Sequence, residues 1–191
     1  MNKWEIKNRN IIYKGGIFTI QDLECYHPQK DISHNFYILK HPDWVNIVAT
    51  TGDDELILVK QHRLGTDEFT IETPAGIVEP DESPEHAARR ELMEETGYCA
   101  NDMILLKKLA ANPAIMSNDI YFYYAPKAEK AASQSLDLAE DIEIILSTEN
   151  DTISMLKRNV IKHSIIITAL SLFFLSDYCD IPIKELKGII V

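Results

Sequence analysis

The sequence predicts an α+β protein, a mixed β-sheet core flanked by helices with a small antiparallel sheet at its N-terminus. Three observations predict it. Short β-rich runs separated by Gly and Asp turns fill most of the first sixty residues; one helix between them and the later strands carries start and stop signals at both ends; and the C-terminal part is apolar at helical spacing. At 191 residues, 46% hydrophobic and 26% charged, with seven Gly and eight Pro, the chain is long enough for one well-buried domain plus a small appendage.

The elements follow in order. Ile11–Tyr13, Phe18–Ile20 and Asn35–Leu39 read as short strands, with turn chemistry at Gly15-Gly16. His41-Pro42-Asp43 is a hinge, because Pro42 disfavours continuing a strand, so the domain boundaries are 1–42 and 43–191. Trp44–Thr50, the turn Gly52-Asp53-Asp54 and Glu55–Lys60 read as a hairpin. A helix begins at Pro84, after Ser83 as N-cap and with Glu85 in its first turn, and stops at Gly97, which suits a left-handed terminal position. Strands return at Ile104–Leu109, Asp119–Ala125 and Ile142–Leu146, and helices are expected over about 150–158 and 161–177.

The formal charge of -11 opposes a protein that coats nucleic acid or binds anionic membranes, since the long-range field has the wrong sign. Cys25, Cys99 and Cys179 are isolated and odd in number, which points to a reducing, cytoplasmic setting and away from disulfides or a zinc site. Met1–Lys7 has no apolar run to serve as a signal peptide, and Ile165–Leu175 is shorter than the roughly 20 residues of a bilayer span. That last stretch reads as a buried helix.

Within the expected helix, Glu91, Glu94 and Glu95 share one face. Like charges so placed repel, whereas hard oxygen donors on a rigid helix suit magnesium or manganese, which also bind phosphate oxygens. Gly76, Glu82, Arg90, Glu91, Leu92, Glu94, Glu95, Gly97 and Tyr98 stand at the spacing of the signature box of the Nudix hydrolases, which the chain resembles; only Tyr98 departs, from an aliphatic position. The resemblance implies the Nudix fold and a loop-helix-loop that holds divalent cations against a diphosphate. It implies Glu91 and Glu95 as metal ligands, Glu94 facing the same site, and the Ala75 carbonyl as a further ligand. Arg90 would orient a box glutamate, and Glu82 would support the loop.

Outside the box, Val59–Arg63 and Ile71–Gly76 resemble segments of the ADP-ribose pyrophosphatases and related nucleoside diphosphate sugar hydrolases. This implies Arg63 and Glu72 as substrate-binding residues. Pro113 lies where that branch carries a proline, although the glycine of its loop is missing here, which leaves the sugar open. The catalytic base of this branch tends to come from a loop after the box. Here Glu140 is the choice, with Asp141 and Glu143 as rivals; Glu143 points outward if Ile142, Ile144 and Leu146 face the core. The resemblance implies metal-dependent hydrolysis of ADP-ribose or a similar nucleotide sugar by a homodimer, paired through its N-terminal sheet. Another Nudix substrate (a dinucleotide, a coenzyme or an oxidised nucleoside triphosphate) and a non-catalytic nucleotide-sugar sensor are the alternatives. Trp4, Tyr13 and Tyr26 are candidates to stack on a base, though packing is the better reading of each.

Overall fold

The computed structural model describes residues 2–179; the expected domain limit at 191 lies outside the described residues. The residues fall into two compact units. One holds the N-terminal chain through Asp43 together with Leu109–Ile120; the other holds Trp44–Lys108 and the chain from Tyr121 onward.

The first unit contains β1 (Glu5–Lys14), β2 (Thr19–His27) and β3 (Ile32–Lys40) in one antiparallel sheet of order β1-β2-β3. These strands are longer than the apolar runs alone suggested, because cross-strand pairing recruits polar flanks such as Asn35, whose amide donates to Asp22 Oδ1 at 2.9 Å. Only one face supplies a core, where Leu23 and Cys25 are buried and Trp4 sets its ring edge-on against His27 and Phe36, each at 5.1 Å. Leu109–Ile120 joins this unit through hydrogen bonds. Leu39 N–H donates to the Ile115 carbonyl at 2.7 Å, Ser117 N–H to the Leu39 carbonyl at 3.3 Å, and Asp119 N–H to Asp43 Oδ1 at 2.9 Å.

The second unit is built on β4 (Trp44–Thr51), β5 (Leu56–Arg63), β6 (Glu68–Glu72), β7 (Ala75–Ile77), α1 (Pro84–Thr96) and β8 (Tyr98–Cys99). These are followed by β9 (Ile104–Ala110), β10 (Asp119–Lys130), β11 (Ile142–Ser147), α2 (Glu149–Lys157) and α3 (Ser164–Phe174). The main sheet runs β11-β5-β4-β10-β8, with β6 on β5, β7 on β4 and β9 on β10. Sequence and structure agree on an α+β fold. β4 is buried along almost its whole length because both its faces are covered, and its polar residues Asn46, Thr50 and Thr51 are buried with the rest. Val45, Ile47 and Ala49 pack with Ala87, Ala88 and Leu92 of α1. On the opposite side Tyr124 hydrogen-bonds Thr50 at 3.1 Å and stacks on Phe173 of α3 at 5.0 Å.

Two local expectations change. The hairpin of β4 and β5 meets at Thr50 and Leu56, but the N-terminal half of β4 pairs with β7, Val45 opposite Gly76 and Asn46 opposite Ala75. That exchange lays the start of the box against the core strand. Leu146 is exposed rather than core-facing: alternation breaks where Ile144 and Ile145 are both half-buried, and Ser147 becomes the buried residue. α2 matches the expected helix to within a residue, whereas α3 is shorter than the expected 161–177 and buries Ile166, Ala169, Leu170, Phe173 and Phe174. Among the described residues no helix is long and apolar enough to cross a membrane.

Candidate active site

The site is set by the ends of α1. Ser83 accepts from the His86 N–H at 3.2 Å, Pro84 occupies the first turn, and Gly97 at φ 69° donates its N–H to the Met93 carbonyl at 2.7 Å. Burying Ala87, Ala88 and Leu92 fixes the rotation of the helix, and the neighbouring stripe then carries Arg90, Glu91, Glu94 and Glu95. Glu95 is 3% exposed.

Arg90 is the hub. Its guanidinium donates to both oxygens of Glu82 at 3.0 Å, to Glu91 at 2.8 Å, to Glu94 at 3.0 Å and to the Ile77 carbonyl at 3.0 Å. Glu82 also accepts from the Glu79 N–H at 3.1 Å and contacts His86 Nδ1 at 2.7 Å. The Arg90 hydrogen bonds, partly opposed by burial, hold the Glu82 carboxyl at a pKa of about 2. Loop and helix are thereby tied by one side chain. Gly76 leaves room at the loop entrance for the Glu91 carboxylate, which a Cβ there would push aside.

We expect Arg90→Gln to leave Glu82 buried without its cation and to lower stability by about 2–4 kcal/mol, read as a shifted urea midpoint. The pH sign follows from the depressed Glu82 value. Its stabilisation is complete above the unfolded carboxyl range and is lost as pH falls toward about 2, so the variant should lack that part of the wild-type acid transition.

Glu91 and Glu95 behave oppositely. Burial pushes both carboxyls up, Glu95 to about 8. For Glu95 the hydrogen bond from the Ala75 N–H at 3.1 Å and the charge of Arg63 oppose the shift, while Glu91 and Glu140 add to it. Ala75 thus meets the box through its N–H. Among the described residues no three acidic, His or Cys side chains converge at metal-ligand spacing. Glu91 and Glu94 are turned onto Arg90, and Glu95 onto Ala75. The donor chemistry nevertheless fits a hard divalent cation: all-oxygen donors on one rigid face, with a buried carboxyl whose charge is incompletely compensated.

Beside this face runs a groove of about 900 Å³ lined by Gln61–Gly65, Phe69 and Ala139–Asp141. Arg63 stands in its wall, held by a bidentate pair with buried Glu72 at 2.8 and 2.7 Å. Burial alone would raise the Glu72 carboxyl, but Arg63 and Thr70, whose hydroxyl donates to Glu72 at 2.5 Å, reverse it and hold the net shift below the ordinary value. Glu72 therefore positions Arg63. Thr70 was not among the expected residues, although the two-residue period of a strand places it on the face of Glu72.

Glu140 is exposed on the loop before β11, with its N–H on the Asp137 carbonyl and its carboxylate on the Asp137 N–H, both at 3.0 Å. Its charge raises the carboxyls of Glu91 and Glu95, which places it near the box. Asp141 lines the same groove, and Glu143 pairs with Lys60 at 3.1 Å. Pro113 lies in the first unit, in the turn closed by the Met116 N–H on the Asn112 carbonyl at 2.7 Å.

A carboxylate-bearing helix face behind a tight loop, beside a groove with a fixed arginine and a further glutamate, is the constellation of a hydrolase of phosphate anhydrides. The NUDIX domain matches residues 40–158, and the chain belongs to this family. Methanol dehydrogenase activator of Bacillus methanolicus is 31% identical over 80% of this chain and 83% of its own length. ADP-ribose pyrophosphatase of Bacillus subtilis is 31% identical over 63% of this chain and 65% of its own. The crystal structure of an ADP compounds hydrolase superposes with a TM-score of 0.80 at 26% identity, covering 90% of this chain and 92% of that one.

Proposed function

We propose that this chain hydrolyses the diphosphate bond of ADP-ribose or a related nucleoside diphosphate sugar, giving a nucleoside monophosphate and a sugar phosphate. The observation that carries the reading is the buried acidic face of α1 opening beside a groove where Arg63 is held outward by Glu72. Relatives named ADP-ribose pyrophosphatase and ADP compounds hydrolase support it. Glu91 and Glu95, with Glu94 and the Ala75 carbonyl, would hold Mg²⁺ or Mn²⁺ once their side chains turn from Arg90 and the Ala75 N–H. The bound ion would supply Lewis-acid polarisation of the phosphoryl oxygens. Arg63 binds and orients a phosphate through the guanidinium edge not used by Glu72. Glu140 takes the proton from the attacking water as the P–O–P link breaks and the leaving phosphate departs.

Phosphate release from a panel of nucleotide sugars, dinucleotides and nucleoside triphosphates, coupled to a phosphatase and run with and without divalent metal, tests this. ADP-ribose and its relatives should turn over only with metal. Turnover confined to triphosphates, or undiminished by a chelator, overturns the reading.

The chain acts in the cytoplasm as a homodimer joined through residues 1–42. The support is β1, an edge strand exposed along its whole length, with Ile11, Ile12 and Tyr13 in solvent. An apolar edge of this kind is covered in stable proteins. Light scattering at micromolar concentration should give twice the 21.8 kDa chain mass, and a clean monomer contradicts the dimer.

A further inference from the structure

The last turn of α1 carries no basic side chain of its own, and its terminal carbonyls must find partners elsewhere. They find most of them in one segment, residues 130–135. Lys130 Nζ donates to the Thr96 carbonyl at 2.5 Å, Ala131 N–H and Ala132 N–H to Gly97 at 2.9 and 3.1 Å, and Ser135 N–H to Glu94 at 2.9 Å. Gln134 does more. Its amide nitrogen donates to the Glu95 carbonyl at 2.6 Å and to the Ile142 carbonyl at 3.0 Å.

One side chain thus closes the loop 134–142 at both ends and fastens it to the main chain of Glu95. Glu140 sits on that loop, and beyond the clip the loop has little else to hold it. Past Ser135, whose N–H is on the Glu94 carbonyl, its hydrogen bonds run between Asp137 and Glu140, and Leu138 projects fully into solvent.

We propose that Gln134 is a positioning residue for the reaction, setting Glu140 in register with the carboxylates of α1. This rests on the reading of Glu140 as base. The clip ties the far end of a nine-residue loop at Ile142 to the main chain of α1, and so shortens the free chain that sets the distance between base and acidic face. Catalysis is sensitive to such distances, since a shift of about 1 Å at the reacting groups costs on the order of a hundredfold in rate.

The test is a double-mutant cycle on kcat and KM with the best substrate of the panel. Gln134→Glu is nearly isosteric but can only accept, so both hydrogen bonds are lost; Gln134→Met removes them without adding charge. Each should lower kcat about 10–100-fold, the usual size for loss of a supporting hydrogen bond at such a site, with KM unchanged and the thermal midpoint close to wild type. In a Glu140→Gln background the same substitutions should cost nothing further. Additive losses in the double variants, wild-type kcat in both single variants, or losses that track unfolding each overturn the role. A fully active Glu140→Gln protein refutes the base assignment itself, and with it any action of Gln134 through Glu140. The single and double variants therefore separate the two failures.

Discussion

Glu95→Gln should lose at least about a thousandfold in turnover while its apo form becomes more stable. Removing one ligand from a site whose ion contributes several kcal/mol to the transition state is worth about three decades at 1.36 kcal/mol each. The stability change has the opposite sign because the native carboxyl is buried at 3% exposure with a pKa of about 8, against an ordinary 4.5. Between those values the folded chain binds the proton that the unfolded chain releases, so stability falls as pH rises through this window. The penalty is absent below the unfolded value and complete above about pH 8. Glutamine cannot ionise, and its amide oxygen can still accept from the Ala75 N–H. In the presence of a chelator the variant should therefore exceed wild type by about 2–4 kcal/mol at pH 8 and match it near pH 4. Added magnesium or manganese should raise the wild-type melting temperature and leave the variant's nearly unmoved. Full turnover by the variant at saturating metal would falsify the ligand assignment.

The second large effect belongs to Glu140→Gln, expected to lower kcat by about 10²–10⁴ with KM held, as for a group that acts only in the transition state. Asp141→Asn and Glu143→Gln should lose much less, Glu143 because its carboxylate is engaged with Lys60 across the β5–β11 pair. A dead Asp141→Asn protein beside an active Glu140→Gln protein would move the base by one residue. If all three retain activity, the base lies among the glutamates of α1.

The sequence by itself determined the family and the helix that carries the chemistry. Ser83, Pro84 and Gly97 mark the ends of α1, the i, i+3, i+4 spacing puts its glutamates on one side, and the box extends from Gly76 to Tyr98. Such features are legible because capping and helical periodicity depend only on near neighbours along the chain. The α+β class was legible for the same reason, from short β-rich runs and their turns.

Contacts between residues distant in sequence were decided by the tertiary structure. Arg90 could be expected to orient a box glutamate, but its joining of Glu82, Glu91, Glu94 and the Ile77 carbonyl depends on how the loop folds back on the helix. The depth of Glu95, and hence its resistance to ionising, follows from packing against β7 and the loop beyond β10. The pairing of β4 with β7 instead of along β5, and the grouping of Leu109–Ile120 with the N-terminal strands, depend on hydrogen-bond partners that no local window contains. Gln134 is the clearest instance. Nothing near it in sequence marks it, because its two acceptors, the carbonyls of Glu95 and Ile142, belong to a helix and a strand brought together only when the sheet has formed.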